Sequence, residues 1–250
     1  MKSRIVKELN EIEKNYDVKV ICACESGSRA WGFASEDSDF DVRFIYVHPK
    51  DWYLTIADKR DVIEIPFDGE LDINGWDVRK SLKLLRKSNS PLLEWLSSPV
   101  KYINIKPVMS AFVELSADAF LPESSCHHYL SMAQNFIANF NDAEEVKVKS
   151  YLYSIRTILC CNWIIRRLTQ PPIKIQDLLK ELLPSGDIRK LVDDLTHVKI
   201  RGAESESIKR SLKFEEYLYE QLNFIKNKIP KNPKKTPIEK FDSVFQKILT

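Results

Sequence analysis

The stretch VICACESGSRAWGFASEDSDFDVRFIYV, residues 20–47, decides the fold of this chain. It begins inside an apolar, β-prone run from Val18 to Cys24, which predicts a buried strand. The small residues from Ser26 to Gly32 are typical of a tight turn that opens a short helix. A second strand is predicted from Phe40 to Val47, which stops before Pro49. The predicted order is therefore strand, turn, short helix and strand.

Two carboxylates flank one residue of the second predicted strand. Asp39 and Asp41 lie on either side of Phe40, and because strand side chains alternate, both should project from the same face. Such a pair suits Mg²⁺, which prefers oxygen ligands and usually takes one or two protein carboxylates together with phosphate oxygens. Taken alone, an Asp-x-Asp pair is more often a solvated strand edge.

The turn between the two strands is a candidate phosphate-binding element. In Ser26-Gly27-Ser28 a glycine lets backbone N–H groups approach phosphate closely, and a helix N-terminus adds partial positive charge. Arg29 is a further candidate for contact with phosphates. Gly-Ser pairs are common in turns, but this turn followed by the Asp39 and Asp41 pair indicates a site for a metal–nucleotide complex.

The rest of the first half completes a mixed α/β domain. A helix is predicted over residues 3–15, and two strands over 61–65 and 70–74 form a hairpin around Asp68-Gly69. Asp77 is a plausible N-cap for a helix from Val78 to about Lys87, which ends near Asn89 and Pro91. Arg79 and Lys80 open that helix and belong either to a cleft or to surface charge.

Helical patterns dominate after about residue 110. They cover residues 110–119, 124–140, 143–168, 175–183, 187–195 and 204–228. A proline-lysine linker follows at 229–237, and a short amphipathic helix is expected at 238–249. We therefore predict an α/β domain at 1–108, a helical bundle at 109–228, and a linker with a short C-terminal helix at 229–250.

Composition excludes several classes of protein. The chain has 250 residues, of which 44% are hydrophobic and 30% charged, as expected for a globular protein with a real core. It contains no apolar run long enough to cross a membrane. Five cysteines without the spacing of a disulfide framework indicate a reducing, cytoplasmic protein. Cys22 and Cys24 share one face of the first predicted strand and are expected to be buried structural thiols rather than metal ligands.

Positive charge is concentrated at the C-terminal end. The net charge is only +2, yet residues 221–250 hold seven Lys against one Glu and one Asp. Such a tail can touch nucleic acid phosphates without sequence specificity. A solvated surface is the commoner meaning of such a charge run.

The segments Ser26-Gly-Ser-Arg-Ala-Trp-Gly32 and Ser38-Asp-Phe-Asp-Val-Arg43 resemble the signature of DNA polymerase beta superfamily nucleotidyltransferases. Within that superfamily the chain resembles a bacterial and phage group of predicted nucleotidyltransferases, some of which are linked to RNA repair. Further segments like those of the group are GWDVRK at 75–80, EWLSSP at 94–99 and KSYLYSIR at 149–156. The resemblance covers roughly residues 20–165.

The resemblance implies a catalytic site and its metal. Gly27 and Ser28 correspond to the Gly-Ser pair of the superfamily, and Asp39 and Asp41 to its two metal-binding aspartates. It implies transfer of a nucleoside monophosphate from an NTP, ATP among the candidates, to a hydroxyl or similar acceptor, with Mg²⁺ or Mn²⁺ and release of pyrophosphate.

A third carboxylate on a neighbouring strand normally completes such a site. We choose Asp72, in the segment Glu70-Leu-Asp-Ile-Asn74, as the residue that binds the catalytic metal and helps to activate the acceptor hydroxyl. Glu64 and Glu70 remain alternatives, because strand register cannot be fixed from one sequence. Ser38, directly before Asp39, is assigned to the nucleotide-binding residues.

The helical half offers further candidates for nucleotide binding. Lys149, Tyr153 and Arg156 are spaced i, i+4 and i+7 and so share one helical face, suited to phosphates and a base. A solvated face with one semi-buried tyrosine is the alternative. We expect the helical domain to close one wall of the nucleotide cleft.

Two other functions remain open. One is a noncatalytic nucleotide- or RNA-binding regulatory module of the same fold, against which the retention of both aspartates argues. The other is a toxin–antitoxin component that applies the same chemistry to a protein or a tRNA. The sequence predicts an NTP substrate and no membrane partner, and it does not distinguish an RNA end, a tRNA, a protein or a small molecule as acceptor.

Overall fold

The computed structural model describes residues 1–140, 144–202 and 206–250. Its elements in the first half are α1 (Lys2–Tyr16), β1 (Lys19–Glu25), α2 (Gly27–Trp31), β2 (Phe40–Val47), α3 (Lys50–Tyr53), β3 (Val62–Glu64), β4 (Leu71–Asp77), α4 (Val78–Leu85), α5 (Ser90–Ser97) and β5 (Lys101–Asn104). They continue with α6 (Lys106–Asp118), α7 (Pro122–Ala138), β6 (Glu145–Lys147), α8 (Val148–Arg167), α9 (Ile175–Leu182), α10 (Asp187–Arg201), β7 (Ser207–Lys209), α11 (Leu212–Lys226) and α12 (Ile238–Ile248).

The chain divides into two compact units. The first comprises residues 1–30, 39–120 and 234–250, and the second comprises 31–38 and 121–233. Residues 31–38 group with the second unit, in which Gln176 donates to the carbonyl of Gly32 at 2.9 Å. The segment of α12 groups with the first unit, where Lys240 forms an ion pair with Asp118 at 2.7 Å. The predicted boundaries at 108 and 228 do not include this exchange, in which residues 31–38 belong to the second unit and residues 234–250 to the first.

The first unit contains a mixed sheet, which confirms the predicted fold class. Its five strands lie in the order β3-β4-β2-β1-β5. β2 and β4 are parallel, whereas the other neighbouring pairs are antiparallel. The strand β2 has the predicted bounds, and β3 and β4 form the predicted hairpin.

The core of this unit forms between α1 and one face of the sheet. In α1 the apolar residues Ile5, Leu9 and Ile12 recur at helical spacing and are buried. They pack in one cluster with alternate residues of β2, among them Val42 and Phe44. The alternation leaves the intervening residues of β2 on the opposite face, which is where Asp41 and Arg43 belong.

The predicted N-cap of α4 is confirmed. The buried Asp77 carboxylate accepts a hydrogen bond from the N–H of Arg79 at 2.8 Å, and its second oxygen accepts from the hydroxyl of Tyr53 at 2.7 Å. The sequence did not predict α5 or β5. Pro91 was interpreted as a break, but it lies in the first turn of α5, where proline needs no N–H donor and Asn89 caps the helix.

The second unit is mainly helical, and α8 is its central element. Most residues of this helix are buried, against α7, α9, α10 and α11. The helices predicted over 143–168 and 204–228 include too much of the chain, because Glu145–Lys147 and Ser207–Lys209 form β6 and β7, which pair in an antiparallel ribbon. A ribbon with three residues in each strand is too short to leave a periodic signal in the sequence. The predicted helical starts at 143 and 204 lie outside the described residues.

The prediction that Cys22 and Cys24 are buried structural thiols is confirmed. All five cysteines are buried thiols outside any disulfide bond, and burial raises the pKa of the Cys24 thiol to about 12, which keeps this thiol protonated. Among the described helices, none combines the length and the apolar character that crossing a lipid bilayer requires.

Candidate active site

Asp41 and Asp72 lie next to each other on the two parallel strands β2 and β4. The strand register pairs these two residues directly, so both carboxylates leave the same face of the sheet. One guanidinium nitrogen of Arg43 lies 3.1 Å from Oδ1 of Asp41 and 2.7 Å from Oδ2 of Asp72. The other terminal nitrogen donates to the carbonyl of Asp72 at 2.9 Å. Two carboxylates therefore hold one cationic group between them.

The glycine of the turn lies directly against one of these carboxylates. Gly27 has a φ of 58°, and a Cβ added to it would lie 2.1 Å from Oδ2 of Asp41. The N–H of Ser26 donates to the carbonyl of Asp41 at 2.8 Å, which fixes the turn beside β2. Only glycine tolerates both this left-handed backbone and this close approach. The sequence pattern Gly-Ser thus reflects a steric requirement of the carboxylate site.

A buried acid that sequence reasoning missed supports the backbone of Asp41. Glu25 ends β1 and is 1% exposed. Its Oε1 accepts from the N–H of Asp41 at 2.8 Å, and its Oε2 accepts from the hydroxyl of Tyr102. Burial raises the pKa of Glu25, although the hydrogen bonds from Tyr102 and Asp41 act in the opposite direction. The signal in the sequence was an acid at the end of an apolar strand, directly before Ser-Gly-Ser.

Asp39 immediately precedes the first residue of β2 and is exposed. Strand alternation was used to predict a common face for Asp39 and Asp41, but Asp39 lies one residue before β2, so the alternation applies only to Asp41. Its carbonyl accepts a hydrogen bond from Nε of Arg29 at 3.1 Å, and the guanidinium of Arg29 lies 3.7 Å from the centroid of the Phe40 ring. Ser28 is buried in α2. Arg29 is thereby held beside the Asp39 backbone.

Glu64 and Glu70, the alternatives to Asp72 as the third carboxylate, do not lie opposite Asp41. Glu64 is opposite Asn74 in the register of β3 and β4, and it forms an exposed ion pair with Arg60 at 2.5 Å. Glu70 precedes β4 and pairs with Arg4 at 3.0 Å, again at the exposed surface. The register therefore favours Asp72, which is opposite Asp41.

The donor set fits a divalent cation that is also bound by phosphate. In residues 1–140, 144–202 and 206–250, no three His, Cys, Asp or Glu side chains are grouped so as to hold a metal ion by themselves. Mg²⁺, however, is commonly held by only one or two carboxylates, with substrate phosphates as the other ligands. Asp41 and Asp72 already share a positively charged group in Arg43. Their carboxylates are thus placed to accept one cation between them.

The chain matches the RNA repair pathway DNA polymerase beta family over residues 1–247. It belongs to this family. The prediction of a polymerase beta superfamily nucleotidyltransferase, made from the turn and the Asp39 and Asp41 pair, is confirmed. The match extends beyond the segment 20–165 that carried the resemblance.

One relative of this family member has a similar length. The chain is 47% identical over 204 residues to the uncharacterized protein YcgL of Bacillus subtilis (strain 168), covering 82% of this chain and 78% of that protein. Among solved structures, the nucleotidyltransferase-like protein from Exiguobacterium sibiricum 255-15 aligns with 98% of this chain and 79% of its own. The identity in that alignment is 10% and the TM-score is 0.33. This structural similarity is too low to support an argument about fold or function.

The other predicted nucleotide-binding residues belong to the second unit. They are Ser38, Lys149, Tyr153 and Arg156. The hydroxyl of Ser38 is buried, lies 2.9 Å from that of Ser35 and accepts from the N–H of Ser35 at 3.1 Å. Lys149 and Tyr153 share one face of α8, with the Lys149 amine 5.5 Å from the ring centroid. Tyr153 also makes an edge contact with Trp31, whose ring centroid is 5.0 Å away.

Arg156 is the largest of the fully buried side chains, with 1% exposure. Its guanidinium lies 4.1 Å from the centroid of the Trp31 ring and donates to the carbonyl of Ile173 at 3.1 Å. A buried arginine with these partners organises the interior of its unit. This packing role was not anticipated from the i, i+4, i+7 spacing alone.

Proposed function

We propose that the protein is a metal-dependent nucleotidyltransferase that moves a nucleoside monophosphate from an NTP to a hydroxyl acceptor and releases pyrophosphate. The observation that carries this proposal is the pairing of Asp41 with Asp72 beside the Gly27 turn. Adjacent carboxylates at a turn that admits close backbone approach suit a cation bound to a triphosphate.

In this proposal the side chains of the site divide metal binding, phosphate binding and orientation of the acceptor among them. Asp41 and Asp72 hold Mg²⁺ or Mn²⁺, with Asp39 as a further oxygen ligand. The bound ion supplies positive charge that orients the triphosphate and offsets charge developing during transfer. Asp72 also orients the acceptor hydroxyl. The turn at Gly27 and Ser28 lies close enough to Asp41 to meet the same phosphates, and Arg29 adds a positive charge there.

Arg43 would compete with a metal ion for the carboxylates of Asp41 and Asp72. Its guanidinium contacts both carboxylates, and a cation placed between them repels it. We propose that Arg43 gives up one of these ion pairs when the metal–nucleotide complex binds. Positively charged neighbours of this kind lower metal affinity in the absence of the anionic phosphates, so metal and NTP should bind together.

A single labelling experiment tests the proposed transfer. The protein is incubated with Mg²⁺ and each labelled NTP in turn, together with total RNA or with cell protein, and the fraction that gains label identifies the acceptor class. The Asp41→Asn protein is the control for label introduced by other enzymes. A folded wild-type protein that transfers no label from any NTP, to any acceptor, contradicts the proposal.

The same Arg43 contacts favour a second candidate, a noncatalytic nucleotide- or RNA-binding module. An arginine that permanently neutralises Asp41 and Asp72 leaves them unable to hold a metal. The two candidates differ in a melting series, because a ligand that binds only the native state raises Tm. A catalytic site predicts stabilisation by an NTP that requires Mg²⁺ or Mn²⁺, whereas a noncatalytic module predicts stabilisation that is independent of the metal.

A further inference from the structure

A groove between α4 and α12 forms a second site in the first unit, with a volume of about 360 Å³. Phe241 of α12 and Leu82 of α4 are buried and form its floor, whereas Ile238 of α12 lines it at the surface and is 40% exposed. Phe245 lines it as well and makes an edge contact with Tyr53, at 5.1 Å between ring centroids. The groove therefore has an aromatic and aliphatic floor that is open to solvent along its rim.

The rim of this groove carries a strong excess of positive charge. Of the ten side chains that line it, one is a carboxylate, that of Asp242, and five are cations. The cations are Arg79, Lys83, Arg86, Lys87 and Lys235. Arg79 and Lys83 lie one turn apart on α4, and Arg86, the αR C-cap of that helix, follows near the next turn, so these three residues extend over about 10 Å at 1.5 Å per residue. That row is too long for one phosphate or one carboxylate.

The groove is separate from the carboxylate site. Asp72 and Asp77 are five residues apart on β4, and α4 begins after Asp77. At roughly 3.3 Å per residue, the start of α4 is about 17 Å from Asp72 along the strand. None of the residues that line the groove belongs to the proposed catalytic set.

We propose that this groove binds a single-stranded nucleic acid, with phosphates on the basic rim and a base on the apolar floor. A nucleic acid strand carries one negative charge and one flat, apolar-faced base at every nucleotide, which matches a row of cations beside an aromatic floor. Arg79 joins the two features, because its guanidinium lies on the rim and 5.3 Å from the Tyr53 ring centroid. Of the seven lysines in residues 221–250, Lys235 lines this groove.

Equilibrium binding tests this site without any catalytic turnover. Fluorescence anisotropy of a labelled single-stranded RNA, in EDTA and without NTP, measures binding to the full chain at several salt concentrations. Each phosphate contact contributes about 0.7 to the slope of log affinity against log salt. We expect Lys83→Glu with Arg86→Glu to weaken binding at least tenfold and to lower that slope by about 1.4.

The matched control carries the same charge change on another exposed helix. Lys2→Glu with Lys14→Glu in α1 should bind within twofold of wild type. The neutral pair Lys83→Gln with Arg86→Gln guards against a folding defect, and circular dichroism checks every variant. Equal affinities of the α4 and α1 charge variants overturn the proposal, as does binding that does not depend on salt.

Two further ligands distinguish a nucleic acid from other polyanions. A strand of the same length with abasic sites should bind more weakly than the normal strand, and Phe245→Ala should abolish that difference. Poly-glutamate of equal charge or anionic phospholipid vesicles that bind as tightly as the strand contradict the proposal. Because the assay contains no metal or NTP, its result does not depend on the proposed transfer.

Discussion

Asp41 and Asp72 lie opposite each other on parallel strands, and one nitrogen of Arg43 contacts both carboxylates, at 3.1 Å and 2.7 Å. The arginine holds together two like charges that otherwise repel each other. A divalent cation at the same place would do so with greater charge. The proposed metal would therefore compete with the Arg43 guanidinium for these two carboxylates, and binding experiments measure that competition.

Arg43→Gln should strengthen metal binding and weaken the metal-free fold. Removal of the guanidinium leaves two adjacent carboxylates without their shared partner, so we expect a loss of about 1 kcal/mol in the free energy of unfolding, since the pair is partly exposed. Mn²⁺ should bind about tenfold more tightly. Calorimetric titration of Mn²⁺ and urea unfolding measure the two effects. Arg60→Gln, which breaks an exposed pair with Glu64, is the control and should change neither quantity appreciably.

Asp39→Asn, Asp41→Asn and Asp72→Asn should each retain the fold and lose turnover. The amide keeps the shape of the side chain but removes the negative charge that holds the metal, and a loss of at least about a hundredfold is expected for a group that stabilises charge in phosphoryl transfer. Glu64→Gln and Glu70→Gln are the controls and should be mild. Activity like that of wild type in a folded Asp41→Asn protein contradicts the proposed metal site. Severe loss in the Glu64 variant alone would identify Glu64 as the third carboxylate.

Gly27→Ala should damage both the fold and the site. The substitution places a methyl group in contact with the Asp41 carboxylate and adds the strain of a side chain at a φ of 58°. Gly69→Ala is a matched control, because Gly69 has a φ of 96° and nothing within 4 Å of an added Cβ. Backbone strain alone costs about 1–2 kcal/mol, so the larger destabilisation of Gly27→Ala measures the steric clash. Equal losses in urea unfolding would show that this turn requires Gly27 for its backbone conformation alone.

The parts of the fold that depend on local pattern were predictable from the sequence. The strand β2, the β3–β4 hairpin and the Asp77 cap each follow from residues that are adjacent in the chain. The choice of Asp72 as third carboxylate needed the resemblance, and the parallel register of β2 and β4 then placed Asp72 opposite Asp41. Register between strands separated by a hairpin depends on tertiary packing, which no local pattern specifies.

The structural features that the sequence did not predict depend on distant residues. The sequence identifies Arg43 only as a residue of the motif, because its two ion pairs depend on the register of β2 and β4. The carboxylate of Glu25 accepts a hydrogen bond from the hydroxyl of Tyr102, which is 77 positions away along the chain. Lys199, 1% exposed, donates to the hydroxyl of Ser35 at 2.8 Å, across 164 positions. A lysine within a helical pattern indicates a solvated face, and only the folded chain reveals the exception.

Alanine substitutions on α8 separate packing from nucleotide binding. Arg156→Ala removes a buried guanidinium from Trp31 and from the carbonyl of Ile173, so we expect it to cost about 3 kcal/mol of folding free energy. Lys149→Ala should leave stability nearly unchanged and raise the apparent Kd for NTP, as should Tyr153→Ala. Thermal unfolding and NTP titration measure the two properties. If folded Lys149 and Tyr153 variants bind NTP like wild type, that face of α8 has no part in nucleotide binding.

Glu25→Gln should change how stability depends on pH. Burial raises the pKa of Glu25 above its ordinary 4.5, so the native state holds this proton more tightly than the unfolded chain does. The resulting contribution to stability is fully present below pH 4.5 and is lost as the pH rises through the folded-state pKa. Gln keeps the Oε1 acceptor for the N–H of Asp41 but does not titrate. The free energy of unfolding of wild type relative to Glu25→Gln should therefore fall between pH 4.5 and the folded-state pKa of Glu25, and stay constant at higher pH. Urea unfolding at a series of pH values measures this difference.

Tyr102→Phe is the matched variant for this titration. The Tyr102 hydroxyl donates to Glu25 and favours its charged form, so its removal raises the pKa of Glu25 further and widens the pH window over which stability is lost. The Glu25→Gln, Tyr102→Phe double variant should show no window at all, because the titrating group is absent. A stability difference between wild type and Glu25→Gln that does not vary with pH, or that favours wild type more as the pH rises, contradicts the raised pKa. In that case Glu25 supports Asp41 as a fully ionised carboxylate.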